Sequence, residues 1–240
     1  FLFTIFAGVG LSIISIAKLF GYLFENYPIH IWSYFFGLII ASIYFVGKRV
    51  EKWNISSVIA IVVGTAGAIG ISILTPATEN SNTIYLLICG VVAACSMILP
   101  GLSGSFVLIL MGNYQLVMID SINEMNIGVL TPVVIGAGFG LMAFSYILAW
   151  VFKRYKDQTI ALLTGFIAGS LSILWPWKQT ISTIVDRHGE TIPLEQSLVL
   201  PWNYTGLTGM ESHIAFASIL IIAGILTIWI IERYAEKQEK

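Results

Sequence analysis

The sequence predicts an all-α membrane protein that crosses the bilayer several times. Of its 240 residues, 57% are hydrophobic and only 10% are charged, whereas a soluble domain carries roughly 25% charged residues. So few charges cannot cover the surface of a soluble fold, and the apolar residues fall in runs long enough to span a bilayer core. The fold class is therefore predicted to be a polytopic helical membrane protein, with inverted-topology repeats and a re-entrant helical hairpin.

Six apolar runs have the composition of spanning helices, which need roughly 20 mostly apolar residues. They are residues 1–24, 31–47, 55–74, 128–152, 159–175 and 212–231. The first run has neither the charged start nor the cleavage site of a signal peptide. Because the chain begins at Phe1 without a methionine, we expect the natural N-terminus to lie upstream.

A longer apolar stretch, residues 83–119, is interrupted by Pro100-Gly101-Leu102-Ser103-Gly104. Each arm, about 16 residues long, would reach roughly 24 Å as a helix, past the midplane of a core about 30 Å thick. Backbone freed by proline and glycine is tolerated at that depth only inside protein or beside water. Since the turn has no charge to hold it among headgroups, a re-entrant hairpin is favoured over a surface turn.

The basic residues predict the orientation, because cytoplasmic loops carry an excess of Lys and Arg. Nine of the 12 follow the second span, follow the fourth span or lie in the C-terminal tail: Lys48, Arg49, Lys52, Lys153, Arg154, Lys156, Arg233, Lys237 and Lys240. The short loops at 25–28, 79 and 120–124 hold no base and are placed outside. The C-terminus is thus predicted to be cytoplasmic.

Two parts of the chain match each other weakly. Residues 7–11 resemble residues 137–141, and Gly37 and Ser42 match Gly165 and Ser170. The loop between the matched helices is acidic in the first copy and basic in the second, so the copies are predicted to cross the membrane in opposite directions.

The repeat defines two predicted domains. Residues 1–80 form the first repeat, with three spans. Residues 81–240 form the second, with the hairpin at 83–119, three spans and a long external loop at 176–210. A hairpin equivalent to 83–119 is expected upstream of Phe1.

The turn of the hairpin is a candidate anion site. A helix that begins near Ser103, Gly104 and Ser105 would present unpaired N–H groups, and two hydroxyls add donors. Glycine at 101 and 104 lets a ligand approach the backbone. The alternative is a serine N-cap with small-residue helix packing and no ligand.

Lys18 is the one charge inside a predicted span. An ionisable residue within the membrane is a functional-site hypothesis by default. It lies one to two turns from the predicted outer end, so its stem could instead extend to the membrane surface or to Glu25.

Other chemistries are not indicated. The histidines His30, His188 and His213 lack ligand-like spacing, so no metal site is predicted. Cys89 and Cys95 are predicted to act as small hydrophobic residues. No cofactor motif or nucleophile–base pair appears, and the net charge of −1 gives no basic surface for nucleic acid.

The candidate site also carries a family resemblance. The segment Pro100-Gly101-Leu102-Ser103-Gly104-Ser105-Phe106, followed by Gly112-Asn113-Tyr114, resembles the second signature of the bacterial polyprenyl-phosphate transporter family, formerly a domain of unknown function. Further similar segments, which extend the resemblance over essentially the whole chain, are Leu23-Phe24-Glu25-Asn26-Tyr27-Pro28, Ala161-Leu162-Leu163-Thr164-Gly165-Phe166 and Trp175-Pro176-Trp177. The first family signature, a related Pro-Gly-x-Ser-Gly-Gly stretch, is absent from this chain.

The resemblance implies a transporter, and no enzyme, that returns undecaprenyl phosphate from the outer to the inner leaflet of the bacterial cytoplasmic membrane. It assigns to the phosphate head Pro100, Gly101, Ser103, Gly104 and Ser105, with Lys18 as a counter-charge. The coupling ion, proton or sodium, stays open. Two other functions also stay open: a small-anion transporter or channel, and a membrane enzyme acting on lipid phosphates, which the missing acid–base constellation disfavours.

Overall fold

The computed structural model describes residues 12, 15–16, 18–74, 76–185 and 191–238. The predicted repeat segment at 7–11 and His188 lie outside these residues. The long helices are α1 (18–26 of the described part), α2 (Pro28–Gly47), α3 (Ile55–Ser72), α4 (Thr83–Ile98), α7 (Ile127–Arg154), α8 (Lys156–Leu174) and α10 (Ile214–Gln238). The shorter elements are α5 (Gly104–Leu110), a π-helix (Gln115–Asp120), α6 (Ser121–Asn123), β1 (Lys178–Val185), β2 (Thr191–Leu198) and α9 (Pro201–Thr208).

The helices confirm the prediction of an all-α polytopic membrane protein. Within the described part of the chain, α2, α3, α7, α8 and α10 are long and apolar enough to cross a membrane. Their ends lie close to the predicted spans because local signals set them. Asn54 accepts a hydrogen bond from the amide of Ser57 and begins α3, and Asn82 caps α4 in the same way through the amide of Ile84.

The apolar stretch at 83–119 breaks twice rather than once. The first break follows α4 and contains the predicted turn at Pro100–Gly104. The second separates α5 from the π-helix, at Met111–Asn113, where Gly112 has a φ of +71°. The expectation of one continuous second arm is therefore wrong, because a residue in the left-handed region cannot continue an α-helix.

The predicted external loop at 176–210 contains ordered secondary structure. Strands β1 and β2 pair in antiparallel register, with Lys178 opposite Leu198, and α9 follows at Pro201, a residue type favoured at the first helical position. The polar composition of the segment indicated a loop and concealed this hairpin.

The chain divides into two compact units. The first comprises residues 1–38, 174–177 and 199–240, and the second comprises residues 39–173 and 178–198. The buried core of the first unit is formed by Ile29, Trp177, Val199, Tyr204 and Ala217. Each unit therefore contains segments from both predicted repeats.

In the first unit, α2 and α10 approach so closely that their glycines meet the opposite backbone. A Cβ atom on Gly37 would overlap the carbonyl oxygen of Ile221, and one on Gly224 would overlap that of Tyr34. A hydrogen bond of 3.0 Å joins the Tyr34 hydroxyl to Thr227 between the same helices. Small residues that allow such backbone approach are the usual means of packing membrane helices.

The second unit contains the same arrangement between α8 and α3. A Cβ atom on Gly165 would overlap the carbonyl oxygen of Ile61, and one on Gly64 would overlap that of Leu162. Gly165 is the residue that the predicted repeat matches to Gly37. On each of the four helices, the glycine follows the contacted carbonyl by one turn. Each pair joins a helix of one predicted repeat to a helix of the other.

Candidate functional site

The turn between α4 and α5 lies against α8 through Gly101. This residue has a φ of +89°, a conformation that favours glycine. A Cβ atom there would lie 2.5 Å from the Cβ of Ser170 and 3.3 Å from the carbonyl oxygen of Phe166. Both the conformation and the contact therefore require glycine at 101.

The residues after the turn present hydrogen-bond donors. The Oγ of Ser103 accepts a 3.1 Å bond from the amide of Phe106, so it caps α5 while its own hydrogen stays available to a ligand. Ser105 is exposed, and the amides of Gly104 and Ser105 have no acceptor within the first turn of a helix. Gly104 is buried. A Cβ atom added to it would lie 3.0 Å from the carbonyl oxygen of Ala93.

The site is electrically neutral in its own segment. No residue between Thr83 and Ile119 is charged, and α5 has only seven residues, so its dipole is small. An anion bound here would be held by amide and hydroxyl donors, which form charge-assisted hydrogen bonds. A counter-charge would have to come from another element.

Ser170 joins the predicted site residues at the turn. It is 3% exposed, and its hydroxyl donates 2.7 Å to the carbonyl oxygen of Ile167 on its own helix. One signal in the sequence points to Ser170, the repeat match between Ser42 and Ser170, but this match does not indicate proximity to Gly101.

The second part of the resembling motif has a structural explanation. The buried side chain of Asn113 donates 2.8 Å to the carbonyl oxygen of Asn80 and accepts 2.9 Å from its amide. The amide of Ala77 donates 2.8 Å to the carbonyl oxygen of Leu110, and a Cβ atom on Gly112 would overlap the carbonyl of Ala77. The motif at 112–113 thus holds the segment before α4 against the second break.

Lys18 lies on α1 and is exposed. It belongs to the first compact unit, whereas Pro100, Gly101, Ser103, Gly104 and Ser105 belong to the second. Five of the six predicted residues thus lie in one turn, and the binding roles of all six stay predictions.

Lys178, at the start of β1, is a half-buried cation in the predicted loop at 176–210. Its ammonium group donates 2.5 Å to the carbonyl oxygen of Ile173, in the last turn of α8, where a positive charge is favourable. Burial lowers the pKa of Lys178 to about 8. This residue completes the C-terminal end of α8 rather than the turn at 100–105.

Among the described residues, no three His, Cys, Asp or Glu side chains are grouped as metal ligands. The fold defines a helical membrane protein with a broken apolar segment, and the turn in that segment carries hydroxyl groups and no charged side chain.

Comparison of the sequence with known proteins shows which family the chain belongs to. A family model described as "VCA0040-like: Undecaprenyl phosphate translocase-like" matches residues 1–192. The polyprenyl-phosphate transporter of Vibrio cholerae serotype O1 is 39% identical over 237 residues, which cover 99% of this chain and 77% of the relative. The polyprenyl-phosphate transporter of Staphylococcus aureus is 30% identical over 194 residues, 73% of this chain and 68% of the relative. No solved structure matches significantly. The chain therefore belongs to the undecaprenyl phosphate translocase-like family.

Proposed function

We propose that this protein carries undecaprenyl phosphate from the outer to the inner leaflet of the bacterial cytoplasmic membrane. Two relatives named polyprenyl-phosphate transporter support the substrate class. The observation that carries the proposal is the turn at 100–105, where Gly101 seats the backbone against α8 and Ser103 and Ser105 offer hydroxyl donors.

The physical task fits this turn. The charged head of a lipid phosphate cannot cross hydrocarbon unaided, whereas its isoprenoid tail can stay in the bilayer. A transporter therefore needs to shield only the head while it crosses. Neutral donors in a glycine-lined turn can replace water around the phosphate without adding a fixed charge that would hold it permanently.

The inverted repeat is part of the proposal, because alternating access in many transporters relies on two opposed copies. The equivalent glycine contacts of α2 with α10 and of α8 with α3 support it. The basic groups at 48–52 and 153–156 support a cytoplasmic location for those loops and for the C-terminus. Either a proton or a sodium ion would supply the coupling.

Loss of the turn's donors should weaken phosphate binding. Ser105→Ala removes one charge-assisted hydrogen bond, so affinity for undecaprenyl phosphate should fall roughly 10- to 100-fold. Ser103→Ala should lose a donor and the cap of α5, whereas Ser103→Thr keeps both and should bind normally. The measurement is equilibrium binding to the purified chain in nanodiscs.

The matched control is Ser218→Ala, since the exposed Ser218 hydroxyl donates 2.9 Å to the Ile214 carbonyl on its own helix. Undecaprenol, which lacks the phosphate, should bind all variants equally. If Ser105→Ala and Ser103→Ala bind undecaprenyl phosphate as wild type does, the turn is a packing element. Competition by inorganic phosphate as effective as by the lipid would identify a small-anion transporter instead.

The orientation has its own test. In intact cells, Asn26→Cys and Asn123→Cys should react with an impermeant thiol reagent, and Lys156→Cys should not. The unsubstituted chain gives the background, since its two cysteines lie within α4. Labelling of positions 26 and 156 from the same side would contradict the opposed repeats.

A further inference from the structure

An apolar groove in the first compact unit is separate from the turn at 100–105. Its volume is about 480 Å³, and its walls come from α1, α2 and the start of α10. Leu23 and Leu220 supply aliphatic walls, and Tyr27 and Phe216 supply aromatic ones. Phe216 is 54% exposed. A volume of this size lies within the roughly 300–1,000 Å³ typical of small-ligand sites.

One end of the groove carries two imidazoles. The rings of His30 and His213 lie 5.1 Å apart, although α2 carries the first and the second precedes α10. The ring of Phe216 packs edge-on against His30 at 5.0 Å. The Glu211 carboxylate lies 3.7 Å from Nδ1 of His213, and the other ring nitrogen, Nε2, has no hydrogen-bond partner among the described residues.

The backbone at His213 is also unusual. Its φ is +42°, a left-handed conformation that is strained for a residue with a side chain. Such residues concentrate at ligand sites, where the surrounding structure maintains them. Here that conformation places the second imidazole beside the first.

From this juxtaposition we infer that the groove binds the head end of a prenyl phosphate, with the phosphate against His30 and His213 and the first isoprene units along Leu23 and Leu220. The inference rests on the proposed function and adds to it a second site. Imidazole N–H groups donate to phosphate oxygens, and the apolar walls suit a hydrocarbon chain.

The location fits the capture of the lipid before it crosses. The groove lies where α1 meets α2, the corner that the acidic segment at 25–28 predicts to face outside. A lipid in the outer leaflet could enter such a groove sideways, with its tail still among other lipid chains. The volume admits only the units nearest the head, so the groove would recognise the phosphate and the first part of the chain.

The test uses three probes on the full chain in nanodiscs: farnesyl phosphate, farnesol and dodecyl phosphate. The double variant His30→Leu/His213→Leu removes both imidazole donors and should bind farnesyl phosphate about tenfold more weakly and farnesol unchanged. Leu220→Trp fills the groove and should weaken both. Ile222→Trp is the control, because Ile222 is 57% exposed on the same helix and does not line the groove.

Each outcome decides one point. Unchanged binding of farnesyl phosphate in Leu220→Trp would contradict the proposal that the groove binds a prenyl phosphate. Dodecyl phosphate binding as tightly as farnesyl phosphate would overturn the prenyl assignment in favour of a general lipid phosphate. If the groove variants bind farnesyl phosphate normally while Ser105→Ala does not, the groove is not a binding site and the proposed function is unaffected. If the groove variants lose binding of farnesyl phosphate while Ser105→Ala does not, the groove is the phosphate site and the turn at 100–105 is not.

Discussion

Gly37→Ala and Gly165→Ala are expected to destabilise the folded protein strongly. In each case the added Cβ would overlap a carbonyl oxygen of the facing helix, that of Ile221 or of Ile61. A backbone carbonyl cannot rotate away as a side chain can, so the two helices must separate. Overpacking typically costs about 1–3 kcal/mol, and contact with backbone should reach the upper end of that range. Thermal stability of the detergent-solubilised chain measures the loss.

Gly70→Ala is the matched control, because a Cβ on Gly70 meets no atom of the described residues within 4 Å, apart from its own helix backbone. It lies on α3 and should be neutral or slightly stabilising, since alanine favours helix more than glycine does. The two variants at 37 and 165 should be destabilised to a similar extent, as their contacts are equivalent. Stability equal to that of Gly70→Ala at either position would contradict the backbone contact there.

Lys18→Met should reduce transport of undecaprenyl phosphate at least tenfold while expression stays normal. Methionine keeps the length and apolar stem of lysine but removes the charge, and a charge-assisted contact with phosphate contributes about 1.5–3 kcal/mol. Lys18→Arg should retain part of the activity, since arginine also binds phosphate. Transport into inverted vesicles or liposomes, normalised to folded protein, is the measurement.

Lys153→Met provides the comparison, because Lys153 is an exposed lysine in the last turn of α7 and is not a residue of either proposed site. It should transport as wild type does. Normal transport in Lys18→Met would remove Lys18 from the site and leave it as a lysine whose stem reaches the membrane surface.

The spanning helices could be predicted because each is specified locally. Their apolar composition is continuous, and residues such as Asn54 and Asn82 mark where helices begin. The turn at 100–105 was also predictable, since proline and glycine cannot continue a helix with ease. The second break was missed, because it depends on the contact of Asn113 with Asn80, which are far apart in the chain.

Contacts between distant segments set the parts of the site that the sequence did not reveal. Ser170 meets Gly101 only because α8 packs against the turn. His30 and His213 have no spacing that would indicate a pair, and they become neighbours when α10 docks on α2. The hydropathy pattern predicts each helix, but it does not predict which glycine contacts which carbonyl.

Because the chain is synthesised from its N-terminus, the glycine contacts can form only in a fixed order. Gly37 lies in α2, yet the carbonyl that it contacts belongs to Ile221 in α10, which is synthesised much later. At about 5–20 residues per second, α2 waits on the order of ten seconds or more in the membrane before its partner exists. During that interval its small-residue face is open to lipid or to other nascent helices. A chain that stops before α10 therefore leaves α2 without this backbone contact, a defect that membrane quality control could recognise.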